Sequence, residues 1–94
     1  MPEANQMSDE ERANVLKTFI KEGRIPALPS QHSKRRVLLE WVAERFETGR
    51  VYTEVDVNLA LKAVHDDTST LRRELIVAKL LARDAAGREY TRLA

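Results

Sequence analysis

Cysteine is absent from this chain of 94 residues, so a disulfide framework, a thiolate metal site and a thiol nucleophile are all excluded. A cytoplasmic location is the expectation for such a chain. Glycine is scarce, with only Gly23, Gly49 and Gly87, which leaves no glycine-rich loop to cradle a phosphate. No apolar run approaches the roughly 20 residues that a membrane-spanning helix needs. The start, Met1-Pro2-Glu3-Ala4-Asn5-Gln6, lacks the basic and apolar regions of a signal peptide. Neither sign of charge dominates: sixteen Lys and Arg stand against fifteen Asp and Glu, a net charge of +1. That balance does not argue for nucleic acid, so any such case must rest on where the charges lie.

What is present is 43% hydrophobic and 33% charged, the make-up of a soluble globular protein. The length suits one domain, 1–94, with a modest core and little stability to spare. Residues 1–7 are mostly polar and are expected to fray. Ser8-Asp9-Glu10-Glu11 is a capping-box pattern that opens a helix over 8–22. On it Ala13, Leu16, Phe19 and Ile20 fall on one side, and Gly23 supplies the stop. Ile25-Pro26-Ala27-Leu28-Pro29 cannot be helical and reads as an extended strap laid across the domain.

The remaining chain, 33–94, carries the pattern of a core. A helix from Lys34 to about Glu47 buries Leu38, Leu39, Trp41, Val42 and Phe46, with Glu40, Glu44 and Glu47 in water and Gly49 as its stop. Trp41 and Phe46 are expected to anchor the core. Arg50-Val51-Tyr52 is a short β-prone piece, and Thr53 caps the next helix with Asp56 as its partner. Val57, Ala60, Leu61 and Val64 form an inward stripe. Asp66-Asp67-Thr68-Ser69 offers caps for a further helix over 68–83, with Leu71, Leu75, Ala78 and Ala82 on one face. Asp84-Ala85-Ala86-Gly87 then turns the chain into a hairpin. The fold class expected is mainly α with a minor β part: a winged helix-turn-helix with an added N-terminal helix and a short C-terminal β-hairpin.

A helical wheel over 68–83 places Ser69, Arg72, Ile76, Lys79 and Arg83 on a second face, bordered by Arg73. No acid lies three or four residues from those cations, so the stripe has no partner within its own helix. From Thr68 onward six basic residues (Arg72, Arg73, Lys79, Arg83, Arg88, Arg92) meet three acids (Glu74, Asp84, Glu89), a local excess over the chain as a whole. In a helix-turn-helix the second helix enters the major groove and the wing follows phosphate. The expected DNA-binding residues are therefore Ser69, Arg72, Arg73, Ile76, Lys79, Arg83, Arg88 and Arg92. The pair Asp66-Asp67 would repel phosphate, and capping is its expected role.

Chemistry finds little else. His65-Asp66-Asp67 has no second histidine at helical spacing, so no metal site is expected. The serines sit in no nucleophile-elbow pattern. No catalytic residue, cofactor or enzymatic activity is expected.

The residues Phe19, Gly23-Arg24-Ile25, Pro29, Lys34-Arg35, Leu39, Phe46, Gly49, Tyr52-Thr53-Glu54, Val57-Asn58, Leu61, Asp67, Leu71-Arg72-Arg73-Glu74-Leu75, Leu80-Leu81, Arg83, Gly87 and Tyr90 together resemble a bacterial family catalogued as domain of unknown function 2087. The resemblance runs from about Phe19 to Tyr90. Asp56 departs from it, standing where the family commonly has Glu. Members occur alone or attached to helix-turn-helix transcriptional regulators, which implies a bacterial, transcription-associated role. The resemblance transfers no catalytic residue, and appended domains of this kind also suit binding of protein or ligand. The segment 71–93 separately looks like the recognition helix and wing of metal-responsive repressors, without their ligands.

The expectation that follows is a DNA-binding or transcription-associated regulator using helix 68–83 and wing 83–93. It would act as a homodimer with residues 8–20 near the interface. The alternative is a non-enzymatic protein-interaction module, contacting a regulator or RNA polymerase through Ile76, Leu80 and the wing.

Overall fold

Ser8 begins the first helix as its spacing predicts. Its hydroxyl accepts from the Glu11 amide at 3.1 Å, and the Glu11 carboxylate accepts from the Ser8 amide at 2.9 Å. In the computed structural model, which describes residues 7–93, this helix is α1, Asp9–Phe19. The fraying expected of 1–6 lies outside the described residues, and Met7 packs partly buried against the core. The helix ends before Gly23. Lys21 and Arg24 instead close a tight turn, with Glu22 and Gly23 both at positive φ (53° and 79°), and the glycine serves that turn. The inward face is also rotated from expectation: Val15 is buried and Ala13 exposed.

Five further elements and a final strand follow α1. These are α2 (His32–Ala43), β1 (Val51–Thr53), α3 (Glu54–Lys62), α4 (Thr68–Val77), β2 (Leu81–Arg83) and β3 (Glu89–Arg92). Among the described residues the fold is thus four helices with one three-stranded antiparallel sheet, ordered β1-β3-β2. β3 is the centre: Tyr90 stands opposite Tyr52 on one side and Arg83 on the other. The proline strap lies where expected. Ile25 is buried, its amide donates to the Val64 carbonyl at 2.6 Å, and its carbonyl lies 2.6 Å from His65 Nδ1. A carbonyl can only accept, so that ring nitrogen carries the proton. His65 is therefore an anchor for the strap.

The core joins all these elements. Ile25, Leu38, Val42, Phe46, Leu61, Leu71, Leu75, Leu81 and Tyr90 are all at most 2% exposed. Trp41 departs from its expected role. It is only partly buried at the rim, with the Arg45 guanidinium 4.3 Å above its ring. Glu40, expected in water, bridges two helices by accepting from Arg12 of α1 at 2.6 Å and from Arg36 at 3.0 Å. α2 also stops at Ala43, well before Gly49, and two tight turns then carry the chain through Phe46.

Burial pushes the Glu40 carboxyl up, but the hydrogen bonds from Arg12 and Arg36 outweigh it and hold the group below its ordinary value of 4.5. A lowered folded pKa stabilises at pH above the ordinary value, and that share is lost as pH falls through the folded pKa. Glu40→Gln should therefore unfold at lower urea than wild type at pH 7. The gap should narrow steadily below pH of about 4. A gap that stayed constant to pH of about 3 would mean that the charge of Glu40 does not stabilise the fold.

Candidate nucleic-acid interface

α3 and α4 pack on each other across the short link 63–67. Thr53 caps α3 with Asp56 in the reciprocal arrangement (3.1 and 3.2 Å). Asp67 caps α4, accepting from the Thr70 amide at 3.1 Å and the Thr70 hydroxyl at 2.7 Å. Those Thr70 bonds hold the Asp67 carboxyl below its ordinary range. Asp66 does something else: it pairs with Arg24 beside the strap, at 2.6 Å.

Leu71 and Leu75 set the rotation of α4 by burying completely. Ser69, Arg73 and Val77 then face outward and are exposed. Arg72 turns toward α3, half-buried, and donates to the Asn58 side chain. Ile76 packs partly buried against the core. Arg73, expected at the border of the basic face, is therefore its centre.

The expected helix over 68–83 is corrected here: α4 ends at Val77. Lys79 takes a left-handed conformation (φ 61°), its amide donates to Ile76, and the Leu80 amide reaches back to the Leu75 carbonyl at 3.0 Å. This is a Schellman ending with lysine where glycine is usual. Packing explains it. At about 100° per residue, a continued helix would set Leu80 on the outward face beside Arg73. The turn instead buries Leu80 and Leu81, at 6% and 1% exposure. Ala78 becomes the helix cap and Ala82 a strand residue, so neither extends a helical face.

Lys79 and Arg83 consequently belong to no helical stripe. Arg83 ends β2, and Arg88 lies in the connection to β3. That connection is closed by Asp84. Its carboxylate accepts from the Arg88 amide at 2.7 Å and the Glu89 amide at 3.1 Å. Gly87 adopts positive φ (72°), as the hairpin reading expects. Arg92 departs from the wing role. It is partly buried, and its guanidinium donates to the Phe46 carbonyl in the turn after α2 at 2.9 Å. Leu80, expected in a protein-docking face, is buried.

The eight expected residues therefore divide. Ser69, Arg73, Lys79, Arg83 and Arg88 reach solvent, while Arg72, Ile76 and Arg92 are partly buried against the fold. Arg73, Lys79, Arg83 and Arg88 form no salt bridge among the described residues, although Asp67 and Asp84 act on Arg73 and Arg88 at longer range. Glu74 is withdrawn by Arg35 of α2 at 3.2 Å.

The sequence reading missed the start of α2. His32, Arg35 and Arg36 line a cleft of about 200 Å³ with Leu39, Glu74, Val77, Ala78 and Lys79. The signal was available: three consecutive cations, Lys34-Arg35-Arg36, sit in the first turns of a helix, where the dipole favours acids. Among the described residues no group of three His, Cys, Asp or Glu is placed to hold a metal ion.

A family model described as an uncharacterised protein conserved in bacteria, DUF2087, matches residues 24–92. The chain belongs to that family. The DUF2087 segment runs from the strap through β3 and leaves α1 outside it. The strap, the α3–α4 pair, the sheet and the cleft all lie within the family's part. No curated protein matches the chain, and no solved structure does. No helix of the described residues is long and apolar enough to cross a membrane.

Proposed function

We propose that 33–93 is a winged helix-turn-helix and that the protein binds DNA in bacterial transcriptional control, with α4 in the major groove and the β2–β3 hairpin as the wing. The order helix, strand, helix, helix, strand, strand, with β3 central in the sheet, supports the fold. The observation that carries the function is the set of exposed cations on α4 and the hairpin, Arg73, Arg83 and Arg88, that form no salt bridge among the described residues. Arg73 lies on the outward face of α4, where a base edge or phosphate is met. Arg88 on the wing meets only the backbone.

The test is a fluorescence titration of genomic duplex fragments at two salt concentrations. Arg73→Ala should cost about 1–3 kcal/mol in affinity and relax sequence preference. Arg88→Ala should weaken all sequences alike and lower the salt slope by about one. Equal affinity in wild type and both variants, or no binding at low salt, would remove the DNA reading.

A protein-docking module for a regulator or polymerase is the second reading. Val55 and Leu59, one turn apart on α3 and 67% and 68% exposed, favour it. A homodimer matched to paired half-sites is part of the DNA proposal. α1 gives it little surface, because Val15, Leu16, Phe19 and Ile20 pack inside the chain.

A further inference from the structure

Between the start of α2 and the end of α4, the cleft of about 200 Å³ combines an apolar floor with a surplus of positive charge. Three cations line it, Arg35, Arg36 and Lys79, against one acid, Glu74. Three of these four groups are already committed. Arg36 donates to Glu40 at 3.0 Å and to the Ala78 carbonyl at 2.6 Å, which fixes it as a tie between the two helices. Glu74 accepts from Arg35 Nη1.

Arg35 is held too, by Glu74 and the Ser30 carbonyl through its terminal nitrogens. Lys79 keeps unused capacity. The Lys79 ammonium makes no salt bridge among the described residues. Its backbone sits at φ 61°, where a side chain is strained and glycine would not be. Val77, beside it, is 71% exposed, although it lines the same cleft as buried Leu39.

We propose that this cleft binds a small organic anion. Its carboxylate or phosphate head meets the Lys79 ammonium, with the positive charges of Arg35 and Arg36 beside it, and its apolar body covers Leu39, Val77 and Ala78. Size limits the ligand. A cavity of about 150 Å³ holds benzene and drug-sized ligands need upwards of about 300 Å³, so a single ring or short chain with one anionic group fits. The proposal does not rest on the DNA reading, because neither Arg73 nor Arg88 lines the cleft, although Val77 and Lys79 adjoin the outward face of α4.

The experiment follows amide resonances of the whole chain by NMR as phenyl phosphate is added, with benzoate, phenol and inorganic phosphate in parallel. Phenyl phosphate or benzoate should give saturable shifts over 32–39 and 74–79, with Kd of about 1 mM or tighter. Whichever of the two binds more tightly identifies the head group. Phenol and inorganic phosphate, each offering half of the ligand, should bind at least about fivefold more weakly. Lys79→Gln should weaken binding about fivefold or more. Lys79→Gly should weaken it as much while raising Tm by about 5 °C, a pairing that a merely structural lysine would not produce. Lys17→Gln, on the exposed side of α1, should bind as wild type does. Absence of saturable shifts from both organic anions, phenol binding equal to theirs, or unchanged affinity in both Lys79 variants would overturn the proposal.

Discussion

Tyr90→Ala should lower the unfolding free energy by about 3–5 kcal/mol, the range for removing a buried aromatic ring. Tyr90 is fully buried, the largest such side chain, and it occupies the middle of the central strand. Its loss opens a cavity under both outer strands, so the hairpin loosens along with the core. Against a typical total of about 5–15 kcal/mol, the variant approaches the limit of folding. Tyr90→Phe separates packing from polarity. It keeps the ring and loses only the hydroxyl, which donates to Glu54 Oε1 at 3.0 Å. That single bond is worth about 1 kcal/mol. Urea unfolding followed by circular dichroism measures both. Equal losses in the two variants would show that the hydroxyl, and not the ring, holds the sheet to α3.

Leu71→Ala and Leu75→Ala should each cost about 2–5 kcal/mol. Both side chains are completely buried and together fix the rotation of α4, which decides whether Arg73 or Arg72 faces outward. Leu59→Ala, on the exposed side of α3, should stay within about 0.5 kcal/mol. A Leu71→Ala protein as stable as Leu59→Ala would mean that the assigned faces of the two helices are wrong. On the proposed DNA reading, a variant with intact α4 helicity but a shifted face would change DNA selectivity without any cation being removed.

Local chemistry was the part that could be read directly. Ser8 with Glu11, and Thr53 with Asp56, announce helix starts through four consecutive residues, and both capping boxes form. The same holds for the proline strap, because two prolines forbid helix whatever surrounds them. The inward stripe of α3 and the pair Leu71 and Leu75 were legible because burial follows helical spacing over short distances. The expected core of Trp41, Phe46, Leu61, Leu71 and Leu75 holds for the last four, which are buried together, while Trp41 stays partly exposed at the rim.

Where two elements compete for the same residues, the sequence by itself could not decide. Periodicity carried α4 on to Arg83, because no glycine marks its end and Ala78 and Ala82 continue an apolar face. Only the need to bury Leu80 and Leu81 beside Leu75 and β3 forces lysine into a left-handed turn at position 79. The roles of charged residues were hidden for a similar reason. Glu40 reads as a solvent-facing residue until Arg12 arrives from another helix, and Arg92 reads as a wing residue until the Phe46 carbonyl accepts from it. Sequence determined where the capped helices α1, α3 and α4 begin, that the strap cannot be helical, and that Leu71 and Leu75 must be buried. Tertiary structure decided where α4 stops, which arginine faces out and which cations remain unpaired, because those outcomes depend on partners many residues distant in the chain.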